Sequence, residues 1–349
     1  MDFDKLDGLT LELPFDTQSC LTGVDSHTAG EINRIILTGY GRVKGQTMAQ
    51  KREHLMSELD WVRQATCLEP RGHRHLMGAA LTEPVTEGAE FGLVYMDSRR
   101  YPFLCGTATI GAVTTLIRLG LIPFTPPQTE VVVDTPSGPM PARARIVDGR
   151  VVSVAVRAVP SFVQASGQAL DVPGIGPLRV ETVCVGGFFV MVAADQLPVP
   201  LDVRRHGSRL VDMGMAIIAA ANDQLKVAHP LRPEVRTVDV VKFYDPQAHG
   251  AGVGRGIVIY GEGQIDRSPC GTGTAAICTL LHHRGELAVG KSFASISPID
   301  TRFTARIAAE TRIGELPGVE VEIEGAAHVT GIHRFVLDPD DPLPDGFLL

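Results

Sequence analysis

The run CGTATIGAVTTLIRLG that begins at Cys105 lies without a gap over CGTGTAAICTLLHHRG, which begins at Cys270. Cys, Gly and Thr open both, and Thr109 then matches Thr274, Thr114 matches Thr279, Leu116 matches Leu281 and Gly120 matches Gly285. Each run reads as a helix start followed by apolar residues on every side, the pattern of a helix buried all round. A chain that repeats such an element about half its length apart is constrained to two similar α/β domains, each with a central helix. Proline before Cys270 suits the entry to a first helical turn. The first turn of a helix leaves backbone N–H groups unpaired and favours negative charge. Either cysteine there is expected to lose its proton more readily, beside a ready seat for a carboxylate. If the two helix starts face each other across a cleft, they present two thiols and two sets of N–H donors to one small ligand.

The chain has 349 residues, enough for two domains with a core each. Hydrophobic residues at 44% and charged residues at 21% describe a globular protein, and the 37 glycines and 24 prolines call for many tight turns. A formal net charge of -8, with no Lys/Arg run, offers no field for nucleic acid or anionic lipid, so neither is expected as a partner. The first residues lack a basic-then-apolar signal and no apolar stretch is long enough to span a bilayer, so a cytoplasmic location is expected. Six cysteines, Cys20, Cys67, Cys105, Cys184, Cys270 and Cys278, are spread without CxxC or zinc-ribbon spacing, which implies free thiols in a reducing compartment. Cys278, among Ile277, Leu280 and Leu281, reads as a small core residue. Cys20, Cys67 and Cys184 read the same way.

Strands are expected within 34–38, 91–95, 130–133, 151–156, 188–192, 256–259 and 335–337, each a β-rich apolar run bounded by Gly, Pro or Asp. Apolar residues at helical spacing over 48–66 and 203–225 predict helices packed on a sheet. Residues 122–127, rich in proline, form a connection after the helix that follows Cys105. His73 and His75 have the alternate spacing a metal could use on a strand, but no third ligand is evident and no metal is expected. The glycines of 250–256 precede a strand, not a helix, so the nucleotide fingerprint fails and the segment reads as a turn. His27 lies near the cleft or is satisfied by backbone in a tight turn. Phe188 and Phe189 are core residues, one of which could line the cleft.

The motifs DSHTAGE (25–31), EPRGH (69–73), YPFLCGTATIG around Cys105, DRSPCGTGT around Cys270 and HVTGIHRFVLDPDDP near the C-terminus together resemble the proline racemase family over nearly the whole chain. The family includes hydroxyproline 2-epimerases and trans-3-hydroxyproline dehydratases. The resemblance implies an α/β chain of α+β type with the diaminopimelate epimerase-like fold: two pseudo-symmetric domains, each a β-sheet wrapped on a central helix, with the active site in the cleft between. The division expected is 17–157 plus 328–349 for the first domain and 158–327 for the second. It implies Cys105 and Cys270 as the acid/base pair, the substrate carboxylate on N–H groups of Gly106, Thr107, Gly271 and Thr272, and Asp266 receiving the substrate ammonium. It also implies a homodimer. Where the family usually has Cys-Gly-His, the chain has Cys105-Gly106-Thr107, which bears on the choice of substrate.

Inversion at Cα needs a base on one face and an acid on the other, and thiols suit both roles. The helix starts would compensate charge that accumulates on the carboxylate, in the place of an electron-sink cofactor, so no cofactor is expected. A carboxylate at position 266 suits an ammonium partner, or serves as a turn former. The reaction expected is a cofactor-independent racemisation or epimerisation of proline or a hydroxyproline. The alternatives are dehydration of trans-3-hydroxy-L-proline, and an imino-acid-binding relative with little or no turnover. The family's dehydratases usually carry Thr at the second cysteine position, so Cys270 favours inversion.

Overall fold

The period-two alternation of the sequence becomes a set of strands that wrap around two helices. A computed structural model describes residues 20–246 and 252–349. In the first half β1 (Cys20–Thr28), β2 (Glu31–Thr38), β3 (Met77–Thr82), β4 (Phe91–Met96), β5 (Gln128–Thr135), β6 (Gly138–Val147) and β7 (Arg150–Arg157) pair in chain order. Then follow β8 (Ser161–Val172), β9 (Gly176–Val185), β10 (Gly187–Ala193), β11 (Val238–Tyr244), β12 (Val253–Tyr260), the short β13 (Gln264–Ile265), β14 (Ser292–Ile296), β15 (Arg302–Ile313), β16 (Leu316–Gly325) and β17 (Ala327–Val336). Pairing runs β8–β9–β10–β11–β12–β14–β15–β16, and β16 returns to β8 through Val319 and Ser161, which closes a ring. β16 also joins β7, and β17 goes back to pair with β1 along its whole length. β16 shows why such segments become strands: Val319, Val321 and Ile323 turn inward while Glu320, Glu322 and Glu324 turn outward.

The helices are α1 (Met48–Glu58), α2 (Asp60–Cys67), α3 (Gly106–Arg118), α4 (Val203–Gln224) and α5 (Gly271–His283). The single helix expected over 48–66 is two helices, because Leu59, at φ -129 and ψ 21, leaves helical geometry between them. α3 packs on β1, β2, β3, β6, β7 and β17, and α5 on β8, β9, β15 and β16. The α+β class is as expected. The two helices end alike as well. Gly120 and Gly285 take φ of +71 and +74, and both ends make the 6→1 and 5→2 bonds of a Schellman cap: Leu121 N–H to Leu116 O and Gly120 N–H to Ile117 O, Glu286 N–H to Leu281 O and Gly285 N–H to His282 O.

The remaining expectations divide. All the strand segments fall within observed strands except 335–337, which β17 leaves at Val336. His73 and His75 sit in turns before β3, so the strand spacing a metal would need is not there. Of the glycine-rich 250–256, Gly250 and Ala251 lie outside the described residues, while Val253–Gly256 already belong to β12 and are no turn. All six thiols are free and buried. No helix among the described residues is long and apolar enough to cross a membrane.

Candidate active site

Cys105 and Cys270 are the N-cap residues of α3 and α5. Both open onto one cavity of 510 Å³, which Gly106, Thr107, Asp266, Gly271 and Thr272 also line. Every site residue singled out from the sequence is therefore in the same place. The two helix starts touch: a Cβ on Gly271 would stand 2.9 Å from the Cα of Gly106. Glycine at both positions is what lets the helices approach this closely. Phe189 lines the cavity and Phe188 lies in the core, as one of the two expectations had it.

The local bonding of each start follows from its sequence. The Thr107 hydroxyl lies 3.2 Å from Cys105 Sγ and the Thr272 hydroxyl 3.5 Å from Cys270 Sγ. The Gly273 N–H donates to Cys270 Sγ at 3.2 Å. Thr109 and Thr274 each donate their N–H to the carbonyl of the cysteine four residues back. Cys270 is held at φ +62, a conformation that side chains rarely adopt and that recurs at functional sites. Asp266, 5% exposed, accepts from the Ser268 N–H at 2.8 Å and the Ser268 hydroxyl at 2.7 Å. The Cys270 N–H donates in turn to Ser268 Oγ at 2.9 Å. Carboxylate and thiol are thus fixed by one serine.

The expectation that the helix starts leave the thiols acidic is overturned by their burial. Burial pushes Cys105 up to about 12, against the Thr107 hydroxyl and the Ala108 N–H. Burial and then the Asp266 carboxylate push Cys270 well above the usual thiol range, against Thr272, Lys242 and the Gly273 N–H. Desolvation outweighs the hydrogen bonds in both cases. Asp266 is itself raised by burial, opposed by Ser268 and Lys242. A cationic group placed on Asp266 removes the repulsion that this carboxylate exerts on both thiols.

The DSHTAGE motif supplies the scaffold. The Thr28 hydroxyl donates to the Thr107 carbonyl at 2.9 Å and accepts from Asn33 Nδ2 at 3.0 Å. Glu31, buried, accepts from the Arg267 N–H at 2.8 Å and from the Tyr260 hydroxyl at 3.2 Å. One short strand pair therefore braces the loop of each cysteine. His27 is outside the cavity, on β1, where its Nδ1 accepts from the Gly30 N–H at 3.2 Å. Glu31, Ser268 and Tyr260 had no role assigned from the sequence; Glu31 and Ser268 stood inside recognised motifs, whereas Tyr260 ends an ordinary apolar strand and carried no signal. Arg52, Glu53, Arg100, Glu234 and Asp239 also line the cavity, contributed by segments distant in sequence.

Comparison with known proteins accords with this arrangement. The proline racemase family profile matches residues 23–348. A proline racemase of Clostridioides difficile is 38% identical over 329 residues, covering 94% of this chain and 98% of its own. A 4-hydroxyproline 2-epimerase of Streptosporangium roseum is 38% identical over 333 residues, covering 95% and 99%. A crystal structure of a hydroxyproline epimerase from Agrobacterium vitis, with bound trans-4-OH-L-proline, superposes with a TM-score of 0.89 at 30% identity, covering 95% of each chain.

Proposed function

The chain belongs to the proline racemase family, and from that premise we propose that it is an isomerase inverting Cα of proline or 4-hydroxyproline with two thiols and no cofactor. The observation that carries this reading is the opening of Cys105 and Cys270, each at a helix start, onto one cavity that also holds Asp266. The substrate carboxylate takes the N–H groups of Gly106, Thr107, Gly271 and Thr272, and its ammonium takes Asp266. One cysteine, as thiolate, removes the Cα proton; the other, as thiol, delivers its proton to the opposite face. Negative charge that builds on the carboxylate meets preorganised N–H dipoles in a site shielded from water. The substrate does not rotate, and the enzyme is left with the proton on the thiol that began as base.

The same reading divides the chain at 17–157 plus 328–349 and 158–327, two pseudo-symmetric halves of the diaminopimelate epimerase-like fold with the cavity between them. The return of β17 to β1 supports that division. We place the enzyme in the cytoplasm, in keeping with its free thiols, and as a homodimer.

The test is incubation of the purified enzyme with L-proline, trans-4-hydroxy-L-proline and trans-3-hydroxy-L-proline in D₂O. Inversion of optical rotation with deuterium at Cα is expected from one of the first two. Pyrroline formation from the 3-hydroxy compound alone would make the enzyme a dehydratase. Binding of an imino acid by calorimetry with Cα exchange at background would make it a binding protein.

A further inference from the structure

Lys242 is 2% exposed, on β11, among the largest fully buried side chains of the molecule. Its Cα partners are Met191 on β10 and Val258 on β12. Directly opposed residues of neighbouring strands share a face, so Lys242 points to the side on which Val258 lines the thiol cavity. Val258 marks the place closely: its carbonyl accepts the Asp266 N–H at 3.0 Å. Its Cγ2 lies 2.8 Å from where a Cβ on Gly273, in the first turn of α5, would stand. The Lys242 ammonium uses room left by Gly256, where a Cβ would meet Nζ at 3.1 Å.

Among the described residues, Nζ has no hydrogen-bond or ion-pair partner. The charged and titratable groups that face it are Cys270 and Cys278, from the start and body of α5, and Asp266 from the segment before. Met191 and Val258 on either side do not titrate. Tyr244, on the same face of β11, has its hydroxyl against Arg284 at 3.1 Å and Glu181 at 3.5 Å. A buried ammonium without a partner costs stability, and an uncharged side chain of similar length in its place usually removes that cost. Its field, however, acts on Cys270 through the protein with less screening than in bulk water. Burial lowers its own value, and Cys270, Asp266 and Cys278 oppose that.

We propose that Lys242 is a positioning residue for charge: its ammonium lies behind α5 and favours the thiolate of Cys270 more than that of Cys105. No proton passes to or from Nζ in this role. For its use in turnover the inference rests on the two-thiol reading above, but its test does not need turnover.

Lys242→Met and Lys242→Gln are compared with the wild type by the rates at which iodoacetamide alkylates Cys105 and Cys270, read peptide by peptide by mass spectrometry from pH 6 to 10. The ratio of the Cys270 rate to the Cys105 rate is expected to fall about tenfold or more in both variants, with the Cys105 rate nearly unchanged. Lys242→Arg should keep the ratio. In active enzyme the acidic limb of kcat/KM should move to higher pH with Lys242→Met. An unchanged ratio in a folded variant, or equal slowing of both thiols, would overturn the proposal. So would failure of the methionine variant to fold, which would make Lys242 a structural residue. If the ratio falls while the wild type inverts no imino acid, the lysine inference stands and the racemase reading fails.

Discussion

Gly106 and Gly271 meet backbone to backbone: a methyl on Gly106 would stand 3.1 Å from the Cα of Gly271, and a methyl on Gly271 2.9 Å from the Cα of Gly106. Neither contact involves a flexible side-chain end, so the backbones themselves must part to admit a methyl. Gly271→Ala is expected to cost about 1–3 kcal/mol of stability by overpacking. Because it moves both N–H sets and both thiols together, it should also lower kcat by about 100-fold or more. Urea unfolding and polarimetric assays on the same preparation check both parts; full activity with the helix starts displaced would separate the contact from catalysis.

Serine at a helix N-cap is well tolerated. Cys105→Ser and Cys270→Ser are therefore expected to fold while losing about 10²–10⁴-fold in Cα inversion. Near-wild-type inversion by either would remove the two-thiol mechanism. Cys270→Gly makes a different prediction. Relief of the φ of +62 should raise stability by about 1 kcal/mol while inversion is lost.

Thr28 is fully buried and its hydroxyl bonds the carbonyl of Thr107. Thr28→Val leaves that carbonyl and Asn33 Nδ2 without this partner, at a cost of about 1–3 kcal/mol. The first cysteine loop should loosen, so kcat should fall along with the urea midpoint. A variant that loses stability but keeps kcat would confine Thr28 to a structural part.

Burial pushes Cys67, Cys105, Cys184 and Cys278 up to about 12. The unfolded chain gives up these protons near pH 8.5 while the native state keeps them. Above that pH the unfolded state binds fewer protons, so stability falls as pH rises from about 8.5 towards 12, by up to about 1.4 kcal/mol per pH unit for each thiol. Below pH 8 the same thiols make no pH-dependent contribution. Urea midpoints at pH 7.5, 9 and 10 should decline, and Cys184→Ala should make the decline shallower; a flat profile would mean that the thiols ionise in place.

Thr107 is 3% exposed, with its hydroxyl 3.2 Å from Cys105 Sγ. An imidazole at this position, the usual family residue, would reach into the cavity with a titrating nitrogen. Thr107→His should reorder kcat/KM over a panel of proline and hydroxyprolines. An unchanged order would show that position 107 does not set preference.

The site was legible because its chemistry sits in two local motifs with the same spacing. Cys105, Gly106 and Thr107 stand against Cys270, Gly271 and Thr272 in the sequence as they do in the cavity. Helix ends were legible for the same reason, since Gly120 and Gly285 carry a local signal. What stayed hidden is set by pairing across the chain. Nothing near Tyr260 tells that its hydroxyl will bond Glu31. Arg52, Glu234 and Asp239 line one cavity only after distant segments pack. The acidity of the thiols was misjudged because the helix start is a local feature and desolvation is not. The break at Leu59 was missed because apolar spacing continues through it while the backbone does not.

β17 runs antiparallel to β1, from Cys20 opposite Val336 to Thr28 opposite Ala327. During synthesis β1 leaves the ribosome long before its partner exists, whereas the ring of β8 to β16 has all its members earlier. The half that carries Cys105 must therefore wait, with an unpaired edge, for the half that carries Cys270 to be made. A nascent chain stalled before residue 327 would hold one shell complete and the other open to pairing with strangers.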